Sequence, residues 1–276
     1  MTSDLAAPDP VSARARFRAL HREGTFLMPN PHDVGSCRLL TALGFEALAT
    51  TSGGSAAALG RQDMTTARQE LVAHVRALSA ATHLPVNVDS EQCFPESPGG
   101  VAATVELLAE AGAAGCSLED WDPHAGRIEE AGLAAERVAL AADAAERAGL
   151  LLTARAENHL RGRDELDDTN ARLMAYRAAG AHVVYAPGLR DLGAIARIVE
   201  ATDAPVNVLL LPGGPSLEQL ADIGVRRLST GSSLARIAYG ALVDAAQQLR
   251  DTGTLPAGAP YLDRVLAADA FAGAPA

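Results

Sequence analysis

The sequence predicts a (β/α)8 barrel, on three observations. Eight short apolar runs rich in β-branched residues recur along the chain. Between them lie longer Ala-, Leu- and Arg-rich stretches whose apolar residues recur at helical spacing. Several of these close with a glycine just before the next run, as in "LTALGFEAL", "LAEAGAAG", "AERAGLLL" and "LADIGVRRL", where glycine is the expected helix terminator. Strands alternating with helices imply a parallel sheet, and eight such units in 276 residues imply closure into a barrel. A doubly wound open sheet is the alternative. No Gly-rich dinucleotide turn follows the first strand, which argues against it.

The first two strands are "FLMPN" from Phe26 and "ALATT" from Ala47. The third, "PVNVD" from Pro85, has the extended, β-branched character of a strand interior. "GCSLED" from Gly115 and "LLLTARAE" from Leu150 supply the fourth and fifth, each apolar at its start and charged at its end. "HVVYAP" from His182, "PVNVLLL" from Pro205 and "RRLSTG" from Arg226 complete the set. The intervening helices are exemplified by "VAATVELLAEAGA" and "ARLMAYRAAGA". Beyond the eighth helix, "PAGAPYLDRVLAADAFAGAPA" predicts a short extra helix with a loose tail, free to pack on a neighbouring subunit. The expected organisation is one domain over residues 1–276, with the barrel at about 14–250 and the extra helix and tail at 251–276.

Composition narrows the function. Net charge is −11, all 23 basic residues are arginine, and lysine is absent. An acidic chain without basic runs is a poor partner for nucleic acid or an anionic membrane. Without lysine, no Schiff base can form on the protein. Cys37, Cys93 and Cys116 are odd in number, widely spaced and without a CxxC, which fits a reducing compartment better than disulfides or zinc. The N-terminus has early acid and proline and no apolar signal core, and no stretch is long and charge-free enough to cross a bilayer. The expected location is cytoplasmic.

In this fold, residues at the C-terminal ends of the strands converge on one face, where chemistry occurs. Asp89 and Glu91 end the third strand. Read as extended backbone, they lie on one side, so their charges repel. Glu119 and Asp120 end the fourth strand, Arg155 and Glu157 the fifth; Asn207 lies in the seventh, and "TTSGGS" follows the second. Adjacent acids suit a hard divalent cation that keeps several waters, and a salt-bridged rim is the plainer alternative. "TTSGGSAAALG" is either an anion-binding backbone or a plain tight turn. "STGSSLA" after the eighth strand is either a barrel phosphate site or a serine-capped helix start, and "PGGPS" is a loop before a Ser216 cap. Cys93 reads as a small buried hydrophobe rather than a nucleophile. His124 and His159 lie in loops on the active face, solvated or moving protons, whereas His74, His83 and His182 read as ordinary helix and strand-edge residues.

Together these stretches resemble the isocitrate lyase/phosphoenolpyruvate mutase superfamily over nearly the whole barrel. The resemblance is carried in order by Asn30-Pro-His-Asp33, Ser52-Gly53-Gly54, Leu59-Gly60 through Asp63, and the third strand ending at Asp89 and Glu91. Glu119-Asp120, Ala154-Arg155, "AGAHVVYAPGLRD", "APVNVLLLPGGPS" and "GVRRLSTGSSLARIA" follow. It implies a magnesium-dependent site, or manganese in its place, for small 2-oxo or 2-hydroxy carboxylates, with an enolate-like intermediate. Asp89, Glu91 and Glu119 would be the metal ligands, and the cation would offset the repulsion of Asp89 and Glu91. Ser52, Gly53, Gly54, Arg155 and Asn207 would hold the substrate, and Arg155, Asp63 and Glu119 would be catalytic. The extra helix, around Tyr261 to Phe271, would be exchanged between barrels in a homodimer or homotetramer.

Departures from the pattern matter as much. Lyase members that cleave isocitrate or methylisocitrate carry a Lys-Lys-Cys-Gly-His or Lys-Arg-Cys-Gly-His loop after the Glu-Asp pair. Here it reads "WDPHAGRIEEAG", without cysteine or lysine. The lysine and asparagine of mutase and phosphonate-hydrolase members are also absent, and Gln92-Cys93-Phe94 replaces the usual Gly-Tyr-Gly. The leading expectation is a carbon–carbon lyase or decarboxylase on a small oxo or hydroxy dicarboxylate. Decarboxylation asks least of the missing loop, because carbon dioxide leaves without a general base. Hydrolysis of a carbon–phosphorus or carbon–carbon bond in an oxo acid is the second reading. A non-catalytic 2-oxo acid binder is the third.

Overall fold

A computed structural model describes residues 9–272. Its strands in chain order are β1 (Phe26–Met28), β2 (Leu48–Ala49), β3 (Val86–Asp89), β4 (Gly115–Glu119), β5 (Trp121–Asp122), β6 (Arg127–Ile128), β7 (Leu151–Arg155), β8 (Val183–Tyr185), β9 (Val206–Leu209) and β10 (Arg227–Ser229). The eight expected strands are all present. They form one parallel sheet in the order β1-β10-β9-β8-β7-β4-β3-β2. The Ala49 amide donates to the Pro29 carbonyl at 3.0 Å, bringing the first strand's end to the second and closing the ring. The fold is a (β/α)8 barrel.

Helices α1 (Pro10–Leu20), α2 (Val34–Ala42), α3 (Ser52–Ala58), α4 (Arg68–Ala81), α5 (Gly100–Glu110) and α6 (Ala131–Ala148) cover the first half. Helices α7 (Leu166–Ala178), α8 (Leu192–Thr202), α9 (Leu217–Asp222), α10 (Ser233–Thr252) and α11 (Arg264–Phe271) follow. Strand alternation sorts the side chains. Cys116, Leu118, Leu152, Ala154, Val184, Val208 and Leu228 face outward and pack with Leu108, Val138, Leu173 and Ile195 of the helices. Of the residues between them, Ser117, Arg155, Tyr185, Asn207 and Arg227 line the barrel's interior cavity, and Thr153 accepts a hydrogen bond from Arg227 beneath it. That interior is therefore polar. At the base, Phe17 of α1 is fully buried against Phe26, Met28, Ala49 and Leu151. Arg14 anchors α1 by donating to the carbonyls of Ala109, Ala113 and Ala148 at the ends of neighbouring elements.

The expected C-terminal helix is α11, capped by Asp263, and it packs against α2 of the same chain. The last four residues of the expected tail lie outside the described residues. Two local readings differ from the sequence. "TTSGGS" is not a tight turn but the start of α3, with Thr51 as its N-cap accepting from the Gly54 amide. The "WDPHAGRIEEAG" segment is not a plain loop: β5 and β6 pair antiparallel as a hairpin, turned by Asp122, which accepts from the His124 and Ala125 amides.

Candidate active site

The C-terminal strand ends open into a cavity of about 280 Å³ whose lining includes Ser52, Asp63, Asp89, Arg155 and Asn207. Asn30 fixes its rim. Its Nδ2 donates to the Thr50 carbonyl at 2.7 Å, and its Oδ1 accepts from the Thr230 and Gly231 amides at 2.9 and 3.0 Å. One buried amide thus ties the first, second and eighth strand ends together.

Arg155 is the hub. Its Nη1 lies 2.8 Å from Asp89 Oδ1, and its Nη2 lies 3.0 Å from Glu119 Oε2 and 2.7 Å from Glu157 Oε1. Burial works against the charge, yet Glu119, Glu157 and Asp89 together hold Arg155 well above the ordinary arginine value. Burial pushes Glu119 well above the usual carboxylate range, against the pull of Arg155. Asp89 Oδ2 also accepts from the Ser52 amide at 3.2 Å, joining the third strand to the start of α3. Asp120, next to Glu119, points the other way. Its carboxylate accepts from Tyr176 at 2.7 Å, Arg172 at 3.2 Å and the Glu157 amide at 2.9 Å, which makes it a strut of the barrel wall.

Glu91 departs from the sequence reading. Strand β3 stops at Asp89, and Glu91 has φ 53°, in the left-handed region. The same-side argument, which needs extended backbone through residue 91, does not apply. Burial first, then the Asp89 and Asp63 charges, push Glu91 up to about 8. The Arg155 ion pair with Asp89 offsets part of the repulsion between the two acids.

Whether these residues suit magnesium can be tested on their chemistry. Asp89, Glu91, Glu119 and Asp63 offer only oxygen, the donor a hard cation prefers, and Glu119 Oε1 is buried without a hydrogen-bond partner. Among the described residues, however, no three His, Cys, Asp or Glu side chains converge into a ready-made cage. The set fits a cation held by few carboxylates and several waters, not a closed protein cage.

The small residues at the start of α3 lie beside Asp89. Gly53 is required by close approach: a Cβ there would stand 2.8 Å from Ser232 Oγ and 3.1 Å from Asp63 Oδ2. "STGSSLA" begins α10, yet Ser232 does not cap it; its hydroxyl shares a 2.8 Å hydrogen bond with Thr51 instead. Ser216 does cap α9, with Gln219 completing the box. Asn207 lines the cavity with both amide ends committed, accepting from Arg227 Nε at 2.9 Å and donating to Ser229 Oγ at 3.0 Å.

The phosphoenolpyruvate phosphomutase family matches residues 17–250. The chain belongs to that family. An oxaloacetate decarboxylase of Paraburkholderia xenovorans is 31% identical, over 89% of this chain and 85% of the relative. An uncharacterized protein of Mycobacterium tuberculosis is also 31% identical, over 90% and 93%. A crystal structure provisionally described as a lyase/mutase from Burkholderia cenocepacia is 46% identical, with TM-score 0.88 over 93% of this chain and 95% of that one. An oxaloacetate acetylhydrolase bound to oxalate superposes with TM-score 0.84 at 23% identity, a likeness of fold.

In this member of the phosphomutase family, the β5–β6 hairpin follows the Glu-Asp pair. Trp121 on it faces Arg161, whose Cζ is 4.0 Å from the indole centroid. Cys93 offers no nucleophile: it is fully buried, and burial pushes its thiol up to about 12. His124 is exposed at the hairpin tip, whereas His159 is engaged by Thr169 at 3.2 Å and Asp164 at 3.4 Å. Three residues near the site escaped sequence reasoning. Tyr185 lies under the Arg155 guanidinium, 5.4 Å from ring centroid to Cζ. Arg227 forms part of the cavity floor. Arg161 flanks Glu119 and Glu157. The available signals were strand alternation for the first two and the four-residue spacing from Glu157 for the third.

Proposed function

We propose that the protein is a magnesium-dependent carbon–carbon lyase or decarboxylase acting on a small 2-oxo or 2-hydroxy dicarboxylate through an enolate-like intermediate. Arg155 at the cavity wall carries the reading: a permanently charged donor stands where charge would develop, supported by acids suited to a cation. The reading takes the barrel and its C-terminal helix as one domain.

Asp89, Glu91 and Glu119 would hold the cation, some of them through water; Asp89 and Asp63 line the cavity, and Glu91 lies beside Asp89 in a small adjoining pocket. Bound there, magnesium or manganese would polarise the substrate's oxo oxygen and screen the acids from an anionic substrate. The chain's residues do the rest. The backbone at Ser52, Gly53 and Gly54 would receive the substrate carboxylate, with the Ser52 amide exchanging Asp89 for it. When the bond beside the carbonyl breaks, the electron pair moves toward the oxo oxygen, and Arg155 donates into that developing charge without a proton transfer. Asn207, locked between Arg227 and Ser229, presents a fixed polar floor.

The named relatives support an oxo-acid substrate, since oxaloacetate decarboxylases recur among them. The hairpin, with neither cysteine nor lysine, favours a reaction whose leaving group needs no general base. Decarboxylation meets that requirement. Turnover of an oxo-acid panel with and without magnesium tests the proposal. Binding without turnover would favour a 2-oxo acid binder.

A further inference from the structure

Glu119 and Glu157 are each gripped on one side only. From the cavity side, Arg155 Nη2 meets Glu119 Oε2 at 3.0 Å and Glu157 Oε1 at 2.7 Å. The other two oxygens, Glu119 Oε1 and Glu157 Oε2, are buried and have no hydrogen-bond partner among the described residues. Both face the same group. Arg161 Nη2 stands 3.9 Å from Glu119 Oε1, and Arg161 Nε stands 3.6 Å from Glu157 Oε2. These are ion-pair separations, too long for hydrogen bonds. The guanidinium rests instead against the Trp121 ring, 4.0 Å from its centroid. Its side chain is 29% exposed against 11% for Arg155, so it keeps room to move.

We propose that Arg161 is a positioning residue that swings from Trp121 onto Glu157 Oε2, leaving Glu119 Oε1 to the cation, when an anionic ligand draws Arg155 toward the cavity. The inference rests on the oxo-acid reading above. In the free chain, one guanidinium is shared by three carboxylates and offers little to a fourth anion. A ligand that competes for Arg155 loosens its hold on Glu119 and Glu157. Buried carboxylates released in that way are costly unless another donor reaches them. Arg155 and Arg161 are the cations within 4.0 Å of these two acids among the described residues. Hydrogen bonds to a buried carboxylate are stronger than a partly exposed cation–π contact, so the exchange is favourable once Glu157 is freed. Trp121, on the β5–β6 hairpin, would be the parking place that keeps Arg161 within reach.

The chain contains one tryptophan, so its emission reports the departure of Arg161 directly. The probe is oxalate, a planar dianion with the shape of a small oxo acid, titrated with magnesium in excess. Emission and calorimetry are followed in wild type, Arg161→Gln and Arg161→Lys. We expect the wild-type emission to change and to saturate with the calorimetric Kd. Arg161→Gln should bind oxalate about tenfold more weakly with no such change, the loss expected for one charge-assisted contact, and Arg161→Lys should recover part of both. Wild-type emission that stays constant while calorimetry records binding would overturn the inference. So would wild-type affinity in Arg161→Gln. Wild type that binds no oxalate would overturn the functional reading, and the inference would fall with it. If Arg161→Gln does not fold, the wild-type emission and the lysine variant still decide the matter.

Discussion

Arg155 Nη1 lies 2.8 Å from Asp89 Oδ1, an ion pair that spans from the end of β7 to the end of β3 across the cavity wall. It joins the residue proposed to stabilise developing negative charge to the one proposed to hold the cation. Each therefore controls the availability of the other.

Asp89→Ala separates those roles. The variant loses the Arg155 contact and the acceptor for the Ser52 amide, while Arg155 keeps Glu119 and Glu157. The fold should persist. Magnesium-dependent turnover should disappear, and calorimetry should show weaker binding of magnesium and oxo acid. Unchanged affinity for both would remove Asp89 from the site.

Arg155→Gln retains some hydrogen bonding and removes the charge. If Arg155 stabilises an enolate-like state, kcat should fall on the order of a hundredfold or more while KM changes less. A raised KM with kcat preserved would make Arg155 a ground-state anchor. Circular dichroism must first match wild type, because the change leaves Glu119 and Glu157 buried without their closest cation.

Much of this was legible in the sequence, for identifiable reasons. All eight barrel strands were readable because each is a short apolar run bounded by helix signals, and the convergence of Asp89, Glu119 and Arg155 follows from strand ends alone. The backbone path to Glu91 was misread because a two-residue period holds only in extended backbone, and the left-handed turn at φ 53° carries no glycine to announce it, yet Glu91 still lies beside Asp89. The hairpin was hidden because its strands are two residues each, below any periodic signal. The cluster of Glu119, Glu157, Arg155 and Arg161 joins residues from β4, β7 and the turn after β7. Only folding brings those together.

Histidine 21 makes the base of the barrel acid-sensitive. It is buried against Phe17 and Phe26, and burial first, then the Arg227 charge, push its pKa down to about 3. The unfolded chain therefore binds a proton near pH 6.5 that the folded chain refuses. Stability is fully present above that pH and falls as pH drops toward 3. Between pH 7 and pH 5 the loss from this group should be about 2 kcal/mol. His21→Phe should flatten that part of the Tm-versus-pH curve. An unchanged slope would assign the acid sensitivity elsewhere.

Helices α10 and α11 and the segment joining them expose an apolar surface. Ile237, Leu242, Val243, Tyr261 and Val265 are each more than half exposed, and α10 buries only Ala235 among its residues. Such a surface suits a second copy of the chain. We expect a homodimer or homotetramer by light scattering at micromolar concentration, weakened by removal of residues 254–276 and consistent with exchange of α11 between barrels. A monomer under those conditions would contradict the assembly.

The central claim, a cation-assisted reaction at the Arg155–Asp89 pair, is tested most directly by pyruvate release from oxaloacetate. The release should be corrected for the uncatalysed rate and measured before and after chelation of divalent metal. The account predicts turnover that chelation abolishes, magnesium or manganese restores, and Asp89→Ala eliminates. Turnover indifferent to chelation, or oxo-acid binding with no turnover across the panel, would contradict it.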